Sequence, residues 1–81
     1  MKNGRQKVIE AAEQYGWSVQ PREVYQGKAV GKDIDVQNGM RQFRVACRSN
    51  GAIIAAYGLR NVFGKNKAEQ IISYMAQYPA N

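Results

Sequence analysis

The stretch "KDIDVQNGMRQFRVACRSNGAIIAAYG", residues 32–58, decides the fold. It holds two Asn-Gly pairs, Asn38-Gly39 and Asn50-Gly51, each flanked by residues that alternate in polarity. Asn-Gly supplies the positive backbone angles of a two-residue hairpin loop, so the stretch predicts three antiparallel strands in a meander. With each Asn-Gly as the loop, Ile34 faces Phe43 and Asp33 faces Arg44 in the first hairpin. In the second, Cys47 faces Ile54 and Arg44 faces Tyr57. Side chains alternate along a strand. One sheet face therefore carries Ile34, Val36, Phe43, Val45, Cys47, Ile54 and Ala56. The other carries Asp33, Asp35, Gln42, Arg44, Ala46, Arg48, Ile53, Ala55 and Tyr57.

Working outward, "NGRQKVIEAAEQYGW" (3–17) reads as a helix capped by Asn3 and Gln6 and closed by Gly16, with Val8, Ile9, Ala12 and Tyr15 on one stripe. A short strand from Trp17 to Gln20 is expected to stop at Pro21, which lacks a ladder donor, and residues 21–32 read as an irregular connection or bent edge. Helical spacing returns in Ala68, Ile71, Ile72, Met75 and Ala76, with Asn66 as cap, Glu69 three residues on and Pro79 past the end. Two amphipathic helices need one apolar surface to cover, and the first sheet face supplies it. The expectation is an α+β, two-layer sandwich over residues 1–81: an antiparallel meander of three to four strands with the N- and C-terminal helices on one face.

At 81 residues the chain is close to the smallest size that a hydrophobic core alone can hold together, which keeps a homodimer open. One cysteine, Cys47, and no histidine exclude an internal disulfide and the common zinc modules. Cys47 falls on the inward face, where a thiolate is disfavoured. Asp33 and Asp35 share the outer face, but Asp33 most simply balances Arg44, and no cofactor or metal is expected. Without histidine or a convincing carboxylate pair, the reading is non-enzymatic. "FGKN" (63–66) lacks the earlier glycine and the following Ser or Thr of a phosphate-binding loop. The start has no apolar run of signal-peptide length, and "AIIAAY" (52–57) is too short to cross a bilayer, so a soluble, cytoplasmic protein with no membrane partner is expected.

The net charge of +6 is unevenly placed. Between Val36 and Ala68 lie six basic residues, Arg41, Arg44, Arg48, Arg60, Lys65 and Lys67, and no acid; the remainder is neutral overall. Such a surplus draws in nucleic acid or an acidic protein, or only keeps a small chain soluble. Lys65 and Lys67 stand at the start of the last helix, where a bound phosphate would offset the cost of a cation at the positive end of the dipole; a capped, solvated helix end is the plainer alternative. Arg44, Arg48 and Tyr57 combine guanidinium and aromatic groups in the manner of single-strand binders, with Arg60 nearby in sequence and Arg41 and Lys32 at the rim. The face of Ala46, Ile53, Ala55 and Tyr57 offers a second possibility, an interaction surface for a host protein or a second copy.

Helix, meander and helix, with Gly64-Lys65-Asn66-Lys67 leading into the last element, resembles the double-stranded RNA-binding domain, which implies that Lys65 and Lys67 meet phosphates. "VIEAAEQYGWSV" (8–19) leading into a meander and closing in "NKAEQIISYMAQ" (66–77) is also similar to small accessory proteins of actinobacterial phages. That likeness implies a cytoplasmic phage product that binds something of the host or of the phage.

Overall fold

A computed structural model describes residues 2–26, 29–59 and 62–80. The elements follow in the order α1 (Gly4–Tyr15), β1 (Ser18–Gln26), β2 (Ala29–Asn38), β3 (Arg41–Cys47), β4 (Ile53–Tyr57) and α2 (Lys67–Gln77). The four strands form one antiparallel sheet in sequential order, with both helices on one face: the expected α+β sandwich.

α1 begins as its sequence dictates. The Asn3 side chain accepts the Gln6 amide at 2.9 Å while the Gln6 side chain accepts the Asn3 amide at 3.0 Å, a reciprocal capping box. At the other end Gly16 takes a left-handed φ of 79°, and the Trp17 amide donates to the Ala12 carbonyl at 2.8 Å, which closes the helix and turns the chain into β1. Trp17 enters the core there, 4 % exposed, with its indole N–H donating to the Tyr78 carbonyl at 3.1 Å.

Val8, Ala11 and Ala12 of α1 and Ile71 and Met75 of α2 meet Ile34, Val36, Phe43, Val45 and Cys47 of the sheet. The inward set of β2 and β3 is therefore as expected. Ala76 is not part of it: it is exposed, and the half-buried Tyr74 packs on the core instead, in ring contact with Trp17 and Phe43.

Three expectations are corrected. The Pro21 break does not occur: β1 runs to Gln26 and pairs with β2 throughout, Pro21 opposite Ile34. β1 is an edge strand, where a residue without a donor is tolerated.

The first hairpin turns one residue later than Asn38-Gly39. Asn38 pairs with Arg41, which leaves Gly39-Met40 as the loop, with Gly39 at a φ of 61°. A positive φ at the first loop position followed by an ordinary residue is the type II′ pattern. Asn38 is held in the strand because its side chain donates to the Tyr78 carbonyl at 2.9 Å. Moving the loop by one residue moves the pairing by two, so every side chain keeps its face while its partner changes: Asp35, not Asp33, opposes Arg44. Asp35 accepts from the Arg44 Nε at 2.7 Å, and Asp33 instead accepts the Cys47 amide at 3.0 Å.

The second hairpin has three loop residues. The Arg48 amide donates to the Ala52 carbonyl and the Gly51 amide to the Arg48 carbonyl, with Gly51 at a φ of 88°. This is a turn followed by a left-handed residue. It puts Ile53 opposite Cys47, and a bulge at the next step absorbs the extra residue, Ile54, so that Ala46 opposite Ala55 and Arg44 opposite Tyr57 stand as expected. Ile53 consequently packs on the core and Ile54 is 48 % exposed, the reverse of the expected placement. The loop shape follows from its docking on α1: the Asn3 side chain donates to the Asn50 carbonyl and the Arg5 amide to the Gly51 carbonyl.

Candidate nucleic-acid interface

The start of α2 is braced differently from the expected cap. The Asn66 side chain makes no capping bond; instead Gln70 reaches back, accepting the Phe63 amide at 3.3 Å and donating to the Phe63 carbonyl at 2.7 Å. Lys67 donates to the Gly64 carbonyl at 2.9 Å, while Lys65 stays exposed. Lys67 is thereby anchored at its own turn, and Lys65 extends beyond it.

The two helices run in the same direction. Gly4 and Lys7 of α1 and Lys67 and Ala68 of α2 line one hollow of about 310 Å³, together with Ala52, Ile53, Lys65 and Glu69. At the other end the Ala80 amide, just past α2, donates to Tyr15 at the close of α1. Both positive helix ends therefore open at the same place. The first turn of α1 contains no acid, and α2 supplies only Glu69, which sits 4.0 Å from Lys7. The loop carrying Arg48, itself exposed, is docked on the first turn of α1. Arg5 donates from Nε to the carbonyl of exposed Lys32, which brings both residues to this end.

Of the residues singled out in the sequence, this end collects Arg48, Lys65, Lys67 and the rim residue Lys32. It adds Lys7 and Arg5, which charge counting along the chain misses because they lie in the portion that is neutral overall. The available signal was α1 itself, whose first turn is basic with no acid.

Arg44 and Tyr57 sit elsewhere. They are cross-strand partners on the outer sheet face, beside a polar hollow of about 660 Å³ that Gln20, Asp35 and Gln42 also line. The Arg44 pKa is raised by its hydrogen bond to Asp35 and by that carboxylate's charge; Arg22 approaches the same carboxylate at 3.6 Å. Arg41 is at the far end, its guanidinium 3.8 Å from the centre of the Tyr78 ring. Arg60 lies outside the described residues.

The apolar face suggested as an interaction surface does not assemble. Ile53 has turned to the core, Ala46 is 8 % exposed, Ala55 is half-buried, and only Tyr57 of the four is well exposed, at 61 %. Cys47 is fully buried, and burial is the main cause that pushes its thiol up to about 11.

No family model, curated protein or solved structure matches this chain. Among the described residues no helix is long and apolar enough to cross a membrane.

Proposed function

We propose that this protein is a non-enzymatic, cytoplasmic module that binds nucleic acid through the end of the molecule where both helices begin. The observation that carries the reading is the hollow at which Gly4 and Lys7 of one helix meet Lys65, Lys67 and Ala68 of the other. Each helix start adds the equivalent of about half a positive charge to that of the lysines. One carboxylate, Glu69, partly offsets them. A chain of phosphates matches such a surface because it offers several anions at once, each releasing counterions when neutralised.

The test is the affinity of a single-stranded oligonucleotide as a function of salt. With one phosphate for each of Lys7, Arg48, Lys65 and Lys67, a slope of about −0.7 per phosphate gives a loss of roughly 50-fold between 50 and 200 mM salt. Lys65→Glu with Lys67→Glu should weaken binding and flatten that slope, and Arg41→Gln at the far end should do neither. Absent or salt-insensitive binding would reject the reading. An acidic protein bound at the same end, with no affinity for oligonucleotides, would transfer the surface to a protein partner.

A further inference from the structure

Tyr57 is 61 % exposed although it belongs to a sheet strand, and the charge nearest to it in the ladder is drawn away. Its cross-strand partner Arg44 gives its Nε–H to Asp35 on the opposite neighbour, β2, at 2.7 Å. Among the described residues the cation–aromatic stack falls elsewhere, on Tyr78. Directly after Tyr57 the chain passes close to β3: a Cβ on Gly58 would come within 3.2 Å of the Gln42 carbonyl oxygen and 3.3 Å of the Phe43 Cβ. The hollow beside these residues is lined by polar groups from three other strands, Gln20 of β1, Asp35 of β2, and Gln42 and Arg44 of β3. The carboxamides of Gln20 and Gln42 are exposed and have no hydrogen-bond partner among the described residues.

From this arrangement we infer that the outer-face hollow is a subsite for one unstacked nucleobase of a single strand, with Tyr57 as the stacking platform and Gln20 and Gln42 reading the base edge. The inference rests on the nucleic-acid reading above and narrows it to single strands. A free aromatic ring accepts the face of any base, and stacking of this kind is how proteins hold single-stranded segments. A carboxamide presents one donor side and one acceptor side, the pair needed to meet a base edge. Asp35 has a positioning role: by holding the guanidinium toward β2 it keeps the ring uncovered, and the Arg44 terminal N–H groups stay available for a phosphate or carbonyl oxygen. β3 advances about 3.3 Å per residue, and Arg44 and Gln42 lie four and six residues before Arg48, so the hollow lies roughly 13–20 Å from Arg48, and one strand can touch both.

The experiment compares wild type, Tyr57→Leu and the double variant Gln20→Ala/Gln42→Ala on four single-stranded homopolymers and on a duplex of equal length, each at two salt concentrations. All three substituted side chains are exposed, and Trp17 fluorescence reports that the variants fold. Tyr57→Leu is expected to weaken single-strand binding by about 5- to 150-fold, the span set by one stacked base, with the salt slope and the duplex affinity unchanged. The glutamine variant is expected to bring the four homopolymer affinities together. Single-strand affinity within twofold of wild type for Tyr57→Leu, or an equal loss on the duplex, overturns the inference while leaving the basic end standing. A loss with Tyr57→Leu but none with the Lys65 and Lys67 reversals does the opposite. No nucleic-acid binding by wild type overturns both.

Discussion

Replacing Gly51 with alanine tests how the basic end is built. Two glycines in the hairpin loops have positive φ, Gly39 at 61° and Gly51 at 88°, but their surroundings differ. A Cβ on Gly39 meets nothing within 4 Å, so Gly39→Ala should cost only the left-handed strain, about 1–2 kcal/mol. A Cβ on Gly51 collides with the side chain of Asn3, the residue that caps α1 and holds the Asn50 carbonyl. Gly51→Ala therefore adds the loss of a cap, about 1 kcal/mol, for a total of roughly 2–3 kcal/mol. Asn3→Ala alone should cost about 1–1.5 kcal/mol, cap plus an exposed hydrogen bond. In the double variant the collision has no target and the cap is lost only once, so the combined cost should fall short of the sum by about 1 kcal/mol. A core of this size supplies only about 3–5 kcal/mol, so wild type and the four variants are best unfolded by urea in a buffer stabilised with sulfate. Trp17, 4 % exposed, serves as the fluorescence probe. Additive costs, or equal costs for Gly39→Ala and Gly51→Ala, would refute the proposed docking of the 48–51 loop on α1.

The bulge separates two adjacent isoleucines. Ile53→Ala should destabilise by about 1–3 kcal/mol because its side chain packs on the core, while Ile54→Ala should stay within about 1 kcal/mol; urea midpoints decide, and the reversed order would restore the unbulged register. Cys47 gives a pH dependence. Its thiol is held near 11 when folded, so above the ordinary thiol range the unfolded chain gives up its proton first and stability falls with rising pH. The loss develops between the unfolded thiol pKa and about 11 and amounts to roughly 2–3 kcal/mol. Subtracting the Cys47→Ala profile isolates it, and parallel profiles would show that the thiol is not protected. The same burial should make modification of Cys47 by a thiol reagent at pH 8 track global unfolding, so that the logarithm of its rate rises linearly with urea even below the transition, with the slope of equilibrium unfolding; a rate that urea scarcely changes would show that a local opening exposes the thiol.

Much of the sheet was legible because polarity alternation is local: Ile34, Val36, Phe43, Val45 and Cys47 point inward as read, and a two-residue shift in pairing leaves faces unchanged. The loop geometry was not legible, because Asn38 and Asn50 are positioned by groups far along the chain, the Tyr78 carbonyl and the Asn3 side chain. β1 was cut short in the reading because Pro21 is a strand breaker only where the ladder needs its donor, and edge position depends on topology. For the candidate site, the acid-free segment pointed to Arg48, Lys65 and Lys67. Lys7 and Arg5 join them only because the two helices lie parallel, a fact of three-dimensional packing that a linear charge count does not contain.

The most direct measurement is amide chemical-shift mapping of the ¹⁵N-labelled protein as a short single-stranded oligonucleotide is added at low salt. The expected result is that the largest shifts fall at residues 4–7, 48–51 and 65–69 and fade as salt is raised. Shifts confined to the opposite end, at residues 38–41 and 74–80, or no shifts at all, would contradict the assignment of the basic end as the binding surface.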